Sequence, residues 1–165
     1  MIDKSIVSGA MEDSIIQGIH IFEDLDSSER AIVGAVLTCK ECAPNDVIYT
    51  EGDKGNSLNI ILKGKVRINR ATVEGDQFCI ATLKKGDIFG TMSFLDGSPH
   101  DATIVSDQLT ELTVLEKSDF DRLILSKPLT AAKILRRLSM HLAALVRNMN
   151  SQYMDVMNLM FRKGK

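Results

Sequence analysis

Between Val47 and Glu116 the chain abandons helical spacing and breaks into short apolar segments, with a turn about every ten residues. Val47-Ile48-Tyr49, Leu58 to Leu62, Phe78 to Leu83, Ala102 to Ser106 and Leu112 to Leu115 read as strands. Val66 and Ile68 alternate with Lys65, Arg67 and Asn69, which gives one buried and one wetted face. Glu51-Gly52-Asp53-Lys54-Gly55, Gly64, Glu74-Gly75-Asp76 and Lys84-Lys85-Gly86-Asp87 supply the turns. Many short strands so spaced predict an antiparallel sandwich or barrel and exclude a parallel sheet, which needs a helix between strands.

Helical patterns flank this region. Residues 11–37 read as helical, with Ile15, Ile16 and Ile19 on one face, then Phe22 and Leu25. Asp26 or Ser27 is placed to cap a second helix carrying Ile32, Val33, Val36 and Leu37, and Pro44-Asn45-Asp46 breaks the pattern. Ser118, with Asp121 three residues on, approximates a capping box, and Phe120, Leu123 and Ile124 form that helix's core face. Lys127-Pro128 ends it and opens a last helix from about Leu129 to Met160, ~48 Å long at ~1.5 Å per residue. The fold expected is mainly β with flanking helices: an antiparallel β-roll (double-stranded β-helix or jelly roll), N-terminal helices and a long C-terminal helix. Its parts are a flexible segment 1–12, a roll domain 13–127 and a helix 128–165 suited to dimerisation.

A net charge of −2 gives no general attraction to nucleic acid or anionic membrane. No apolar run approaches a membrane span, and the N-terminus lacks the basic-then-apolar order of a secretion signal, so a soluble cytoplasmic protein is expected. Cys39 and Cys42 form a Cys-x-x-Cys, but Cys79 is the only other cysteine, and His20, His100 and His141 are scattered. Small packing residues are the expected role of the pair; no metal site and no cupin-type enzyme is predicted.

Three short matches, in order, carry a family resemblance: Ile21-Phe22-Glu23-Asp24-Leu25; Glu51-Gly52-Asp53 through Leu58, Ile61 and Gly64-Lys65-Val66; and Gly86-Asp87-Ile88-Phe89-Gly90. Through residues 14–160 the chain resembles the cyclic nucleotide-binding domain family. The resemblance implies a non-catalytic sensor module with a phosphate-binding cassette over Gly86 to Thr103. Its pocket residues would be Phe89, Gly90, Thr91, Met92, Ser93, Pro99, His100, Asp101 and Ala102, with Asn150 and Ser151 reaching a base from the last helix. A plain hydrophilic helix face is the other account of those two. In the family Phe-Gly precedes a Glu that holds the ribose, and an Arg after Pro pairs with the cyclic phosphate; here those places carry Thr91 and His100. Imidazole lacks the guanidinium fork, Thr91 offers one hydroxyl in place of a carboxylate, and Asp101 opposes an anion. Weak or altered cyclic nucleotide binding is therefore expected. His100 is read as a surface loop residue, with a pH-dependent anion contact or a different ligand as alternatives. Lys63, Lys65 and Arg67 share a solvated strand face and do not replace the missing Arg.

On the last helix Leu135, Leu138, Leu142, Leu145, Met149, Gln152, Val156 and Leu159 recur at alternating steps of three and four, a heptad seam that predicts a homodimer. Cover by the parent domain is the other account of its first half, where Ile134 and Leu138 could fold against the roll, but not of Val156 and Leu159. The Met-rich, basic tail from Met154 to Lys165 reads as a frayed helix end or a contact for a partner helix or membrane surface. Relatives often continue into a helix-turn-helix; no such segment precedes Lys165, so DNA binding by this chain alone is not expected. No cofactor is fixed by the sequence; a cyclic nucleotide or another small anion is the ligand class implied. The alternatives are a dimerisation or protein-interaction domain with a vestigial pocket, and the sensor half of a transcription regulator.

Overall fold

The computed structural model describes residues 11–72 and 75–162. Of the segment 1–12 expected to be flexible, residues 1–10 lie outside the described residues, as do Glu74 of one predicted turn and residues 163–165 of the basic tail. The chain runs through α1 (Asp13–Gln17), a 3₁₀ turn (His20–Phe22) and α2 (Ser27–Gly34) into the strands. These are β1 (Thr38–Cys42), β2 (Val47–Tyr49), β3 (Ser57–Lys63), β4 (Lys65–Ala71), β5 (Gln77–Lys84) and β6 (Ile88–Phe89). After α3 (Thr91–Asp96) come β7 (Thr103–Ser106), β8 (Thr110–Glu116), α4 (Lys117–Ser126) and α5 (Pro128–Arg162).

Two four-stranded sheets face each other, in the orders β1-β8-β3-β6 and β2-β7-β4-β5, and every pairing is antiparallel. The central strand β3 explains the unbroken apolar run at Leu58–Leu62. Leu58 and Ile60 join the helical side with Ile16, Phe22, Phe94 and Phe120, while Ile61 joins Val66, Phe89, Ile104, Leu112 and Val114 inside the roll. Period-2 alternation thus serves two cores with one strand.

The sequence reading needs correction at four places. Residues 35–37 do not extend α2, which ends at Gly34, and the segment with the two cysteines is a strand, β1, paired with β8. Its pattern was masked by the Cys-Lys-Glu-Cys composition, which lacks the β-branched residues that mark strands. Ser118 does not cap α4: the N-cap is Glu116 without a side-chain bond, and Asp121 instead accepts from Lys117 Nζ at 2.9 Å. Ala131, Ile134 and Leu138 of α5 are buried in the helical cluster, so the start of the last helix folds against its own domain. Leu138, read as part of a dimer seam, is fully buried within its own chain, and Leu135 packs partly against the same cluster.

Asp26 is the α2 cap. Its carboxylate accepts the Glu29 N–H at 2.9 Å, and Glu29 returns the bond to the Asp26 N–H at 2.9 Å. Glu29 also accepts from Lys133 Nζ at 2.6 Å and Thr130 Oγ1 at 3.2 Å, and Asp24 accepts from Arg137 Nε at 2.6 Å. These bonds clasp the start of α5 onto the N-terminal helices.

Candidate functional site

Gly90 sits between β6 and α3 with φ +79°, a conformation that side chains resist. A Cβ there would lie 2.7 Å from the Ser57 carbonyl oxygen and 3.8 Å from His100 Cε1, so the cassette is pressed directly onto β3 and His100. Gly55 fits against α3 for the same reason, since a Cβ would lie 2.0 Å from Ser93 Cβ. Ser93 Oγ donates to the Pro99 carbonyl at 3.3 Å. The rest of the loop is held by backbone bonds: the His100 N–H donates to the Asp53 carbonyl and the Gly52 N–H to the His100 carbonyl, both at 2.8 Å.

His100 is only 7% exposed, which overturns its reading as a surface loop residue. Its ring lies parallel to that of Tyr49, with centroids 3.5 Å apart and planes 5° from parallel. Tyr49 in turn meets Phe89 at 5.9 Å. Two flat rings in van der Waals contact exclude water from that side of the imidazole, and burial duly holds the His100 pKa below its usual value, against the opposing pull of Asp53 and Asp101. Burial, and then Asp101, push the Tyr49 phenol upward. Both rings are therefore neutral near pH 7.

Of the other predicted site residues, Phe89, Thr91 and Ser93 are buried, Ala102 is half-buried, and Pro99, Asp101 and Met92 are exposed. Asn150 and Ser151 are exposed on α5 and do not line the cavity next to His100. That cavity, of ≈ 420 Å³, is bounded by Tyr49, Asp53, Lys54, Ser57, Asn59 and His100 together with β1 residues. Sequence reasoning missed Tyr49, Ser57 and Asn59. Asn59 is buried in the middle of an apolar strand, which is the one signal that marks it. Tyr49 meets His100 across many intervening residues, a contact no spacing rule reveals. Lys63 pairs with Glu111 at 3.1 Å, and Lys65 and Arg67 pair with Asp107 at 3.5 and 3.2 Å, so these cations are engaged on the surface. Among the described residues no group of three or more His, Cys, Asp or Glu is placed to hold a metal ion, and no helix is long and apolar enough to cross a membrane.

The depressed His100 pKa has a consequence for stability. In the unfolded chain the imidazole takes up a proton near pH ~6.5, while in the folded chain it does so only at lower pH. Stability is therefore lost as pH falls below about 6.5 and levels off below the folded value. His141, lowered by burial and then by His20, adds the same sign, whereas Glu116, raised by burial, opposes it. The urea midpoint should drop between neutral and mildly acidic buffer, and His100→Gln should shrink the drop; an identical drop in the variant would refute the assignment.

The sequence profile described as the cyclic nucleotide-binding domain matches residues 39–127. A cAMP-dependent protein kinase regulatory subunit of Yarrowia lipolytica is 29% identical over 124 residues, covering 75% of this chain and 32% of that protein. The cyclic AMP receptor protein of Thermus thermophilus is 36% identical over 116 residues, covering 70% of this chain and 54% of that protein. The chain thus spans about a third to a half of these curated relatives. Among solved structures, a cyclic nucleotide-binding domain from Methylobacillus flagellatus superposes with a TM-score of 0.82 at 28% identity, covering 93% of this chain and 89% of that one.

Proposed function

The chain belongs to the cyclic nucleotide-binding domain family, and on that premise we propose that it is a non-catalytic regulatory module that binds cyclic nucleotides weakly. One observation carries the reading: the place where the family has its phosphate-pairing Arg holds a buried, neutral imidazole stacked on Tyr49. A neutral ring donates at most one hydrogen bond to a phosphate and contributes no charge. Asp101 beside it adds a repulsive carboxylate, and the buried Thr91 offers the ribose 2′-hydroxyl a neutral hydroxyl where the family has a charged carboxylate acceptor.

Thermal denaturation with cyclic AMP and cyclic GMP tests this. A ligand at ~100 times its Kd stabilises by ~2.7 kcal/mol, so a tight site would raise the melting temperature by several degrees at about 10 μM nucleotide. The expected result is no shift at that concentration with either nucleotide. A clear rise would overturn the proposal.

Homodimerisation through α5 is part of the same reading. Beyond Leu142 the seam residues Leu145, Met149, Val156 and Leu159 are all exposed, with no cover from their own chain. Parallel pairing with a second copy removes these side chains from water.

A further inference from the structure

The cavity beside His100 is lined by buried polar groups whose hydrogen-bonding capacity the fold leaves open. His100 is 7% exposed and Asn59 2%. Among the described residues neither imidazole nitrogen has a hydrogen-bond partner, and neither does Asn59 Oδ1 or the Tyr49 hydroxyl. Asn59 engages only its Nδ2, which donates to the Ser57 carbonyl at 3.4 Å and to Ser57 Oγ at 3.2 Å. None of the open groups is sealed from solvent, and all three residues border the cavity. An apolar side chain at position 59 would suit the strand better, whereas an amide with an open acceptor suits a ligand.

The three groups carry no charge near pH 7. An ionic ligand would shed its hydration against them and meet no counter-charge. Around the rest of the lining the charges balance, Asp53 and Glu116 against Lys40 and Lys54, so no net charge is selected there either. Acceptors predominate: Asn59 Oδ1 and the two carboxylates only accept, while imidazole and phenol both donate and accept. Ile48 and Val114 add an aliphatic surface. A hydroxylated ring matches this pattern, since each hydroxyl donates as well as accepts and the C–H face of the ring packs on aliphatic side chains. The volume, ≈ 420 Å³, is that of a small-molecule site.

We propose that the cavity bounded by Tyr49, Asn59 and His100 binds an uncharged polyhydroxylated ring of monosaccharide or cyclitol size. The proposal rests on the reading of the chain as a ligand-binding regulatory module, and names the ligand class its cavity takes in place of an anion.

The probes are D-ribose, D-glucose and myo-inositol at about 10 mM, at least one of which should raise the melting temperature by a few degrees. Ribose 5-phosphate and glucose 6-phosphate, two of the same scaffolds with an anion added, should give no rise. The His100 ring resonances of the unmodified chain should move on addition of the active probe. Tyr49→Phe keeps the stacked ring and removes the hydroxyl, and should weaken that probe roughly two- to tenfold by calorimetry, the worth of one neutral hydrogen bond. Equal rises with the sugars and their phosphates would overturn the uncharged class. An active probe that leaves the His100 resonances unmoved, or binds Tyr49→Phe unweakened, would overturn the site. No rise with any of the three, together with none from cyclic AMP or cyclic GMP at about 10 μM, would overturn this proposal and leave the weak-binding reading standing. A rise with cyclic AMP at that concentration and none with the sugars would overturn both.

Discussion

Replacing Thr91, His100 and Asp101 together, as Thr91→Glu, His100→Arg and Asp101→Ala, is expected to tighten cyclic nucleotide binding by about a hundredfold or more. The magnitude follows from hydrogen bonds to charged groups at ~1.5–3 kcal/mol each, two of which a guanidinium fork supplies, with ~1.4 kcal/mol per tenfold in affinity. The geometry favours rescue. An Arg at position 100 inherits the backbone bonds to Asp53 and Gly52, and its planar head stacks on Tyr49 as the imidazole does. Removing the Asp101 carboxylate takes away a negative charge that both Tyr49 and His100 already sense. Titration calorimetry with cyclic AMP and cyclic GMP reads the result directly. If the triple variant folds and binds no better than the parent, the roll interior itself is closed, and the vestigial-pocket reading replaces the weak-binding one.

Leu138→Ala should cost about 2–5 kcal/mol of folding stability, whereas Leu145→Ala, one heptad on, should cost less than about 1 kcal/mol in the isolated chain. Both leucines sit on the same heptad stripe, yet Leu138 is fully buried beside Ile134 and Leu145 is 44% exposed. Urea unfolding at low protein concentration separates the two costs from any effect on assembly. Equal costs would mean that α5 is covered along its whole length by its own domain, and the exposed seam would lose its basis.

The strands β2 to β5, β7 and β8 were legible because alternation and glycine turns act locally, and α5 because apolar residues recur at helical spacing throughout. Strand β1 was not: its pairing of Thr38–Cys42 with Thr110–Val114 is a long-range choice that outweighs local composition. The cassette was legible as a motif but not in its geometry. Pro99-His100-Asp101 reads as an exposed turn until the chain brings Tyr49 from β2 over the ring. The heptad pattern on α5 leaves Leu138 open to cover by its own domain but does not show where that cover ends, between Leu138, which is buried, and Leu145, which is not. Periodicity reports which face is apolar; only the tertiary arrangement reports what covers it.

Glu29 closes the α2 cap through Asp26 and grips α5 through Lys133 and Thr130 with the same carboxylate. One acidic group therefore makes the first and last thirds of the polypeptide mutually dependent. Peeling back the terminal helix strips a partner from the very side chain that starts the amino-terminal one, so the two ends loosen as a single cooperative unit.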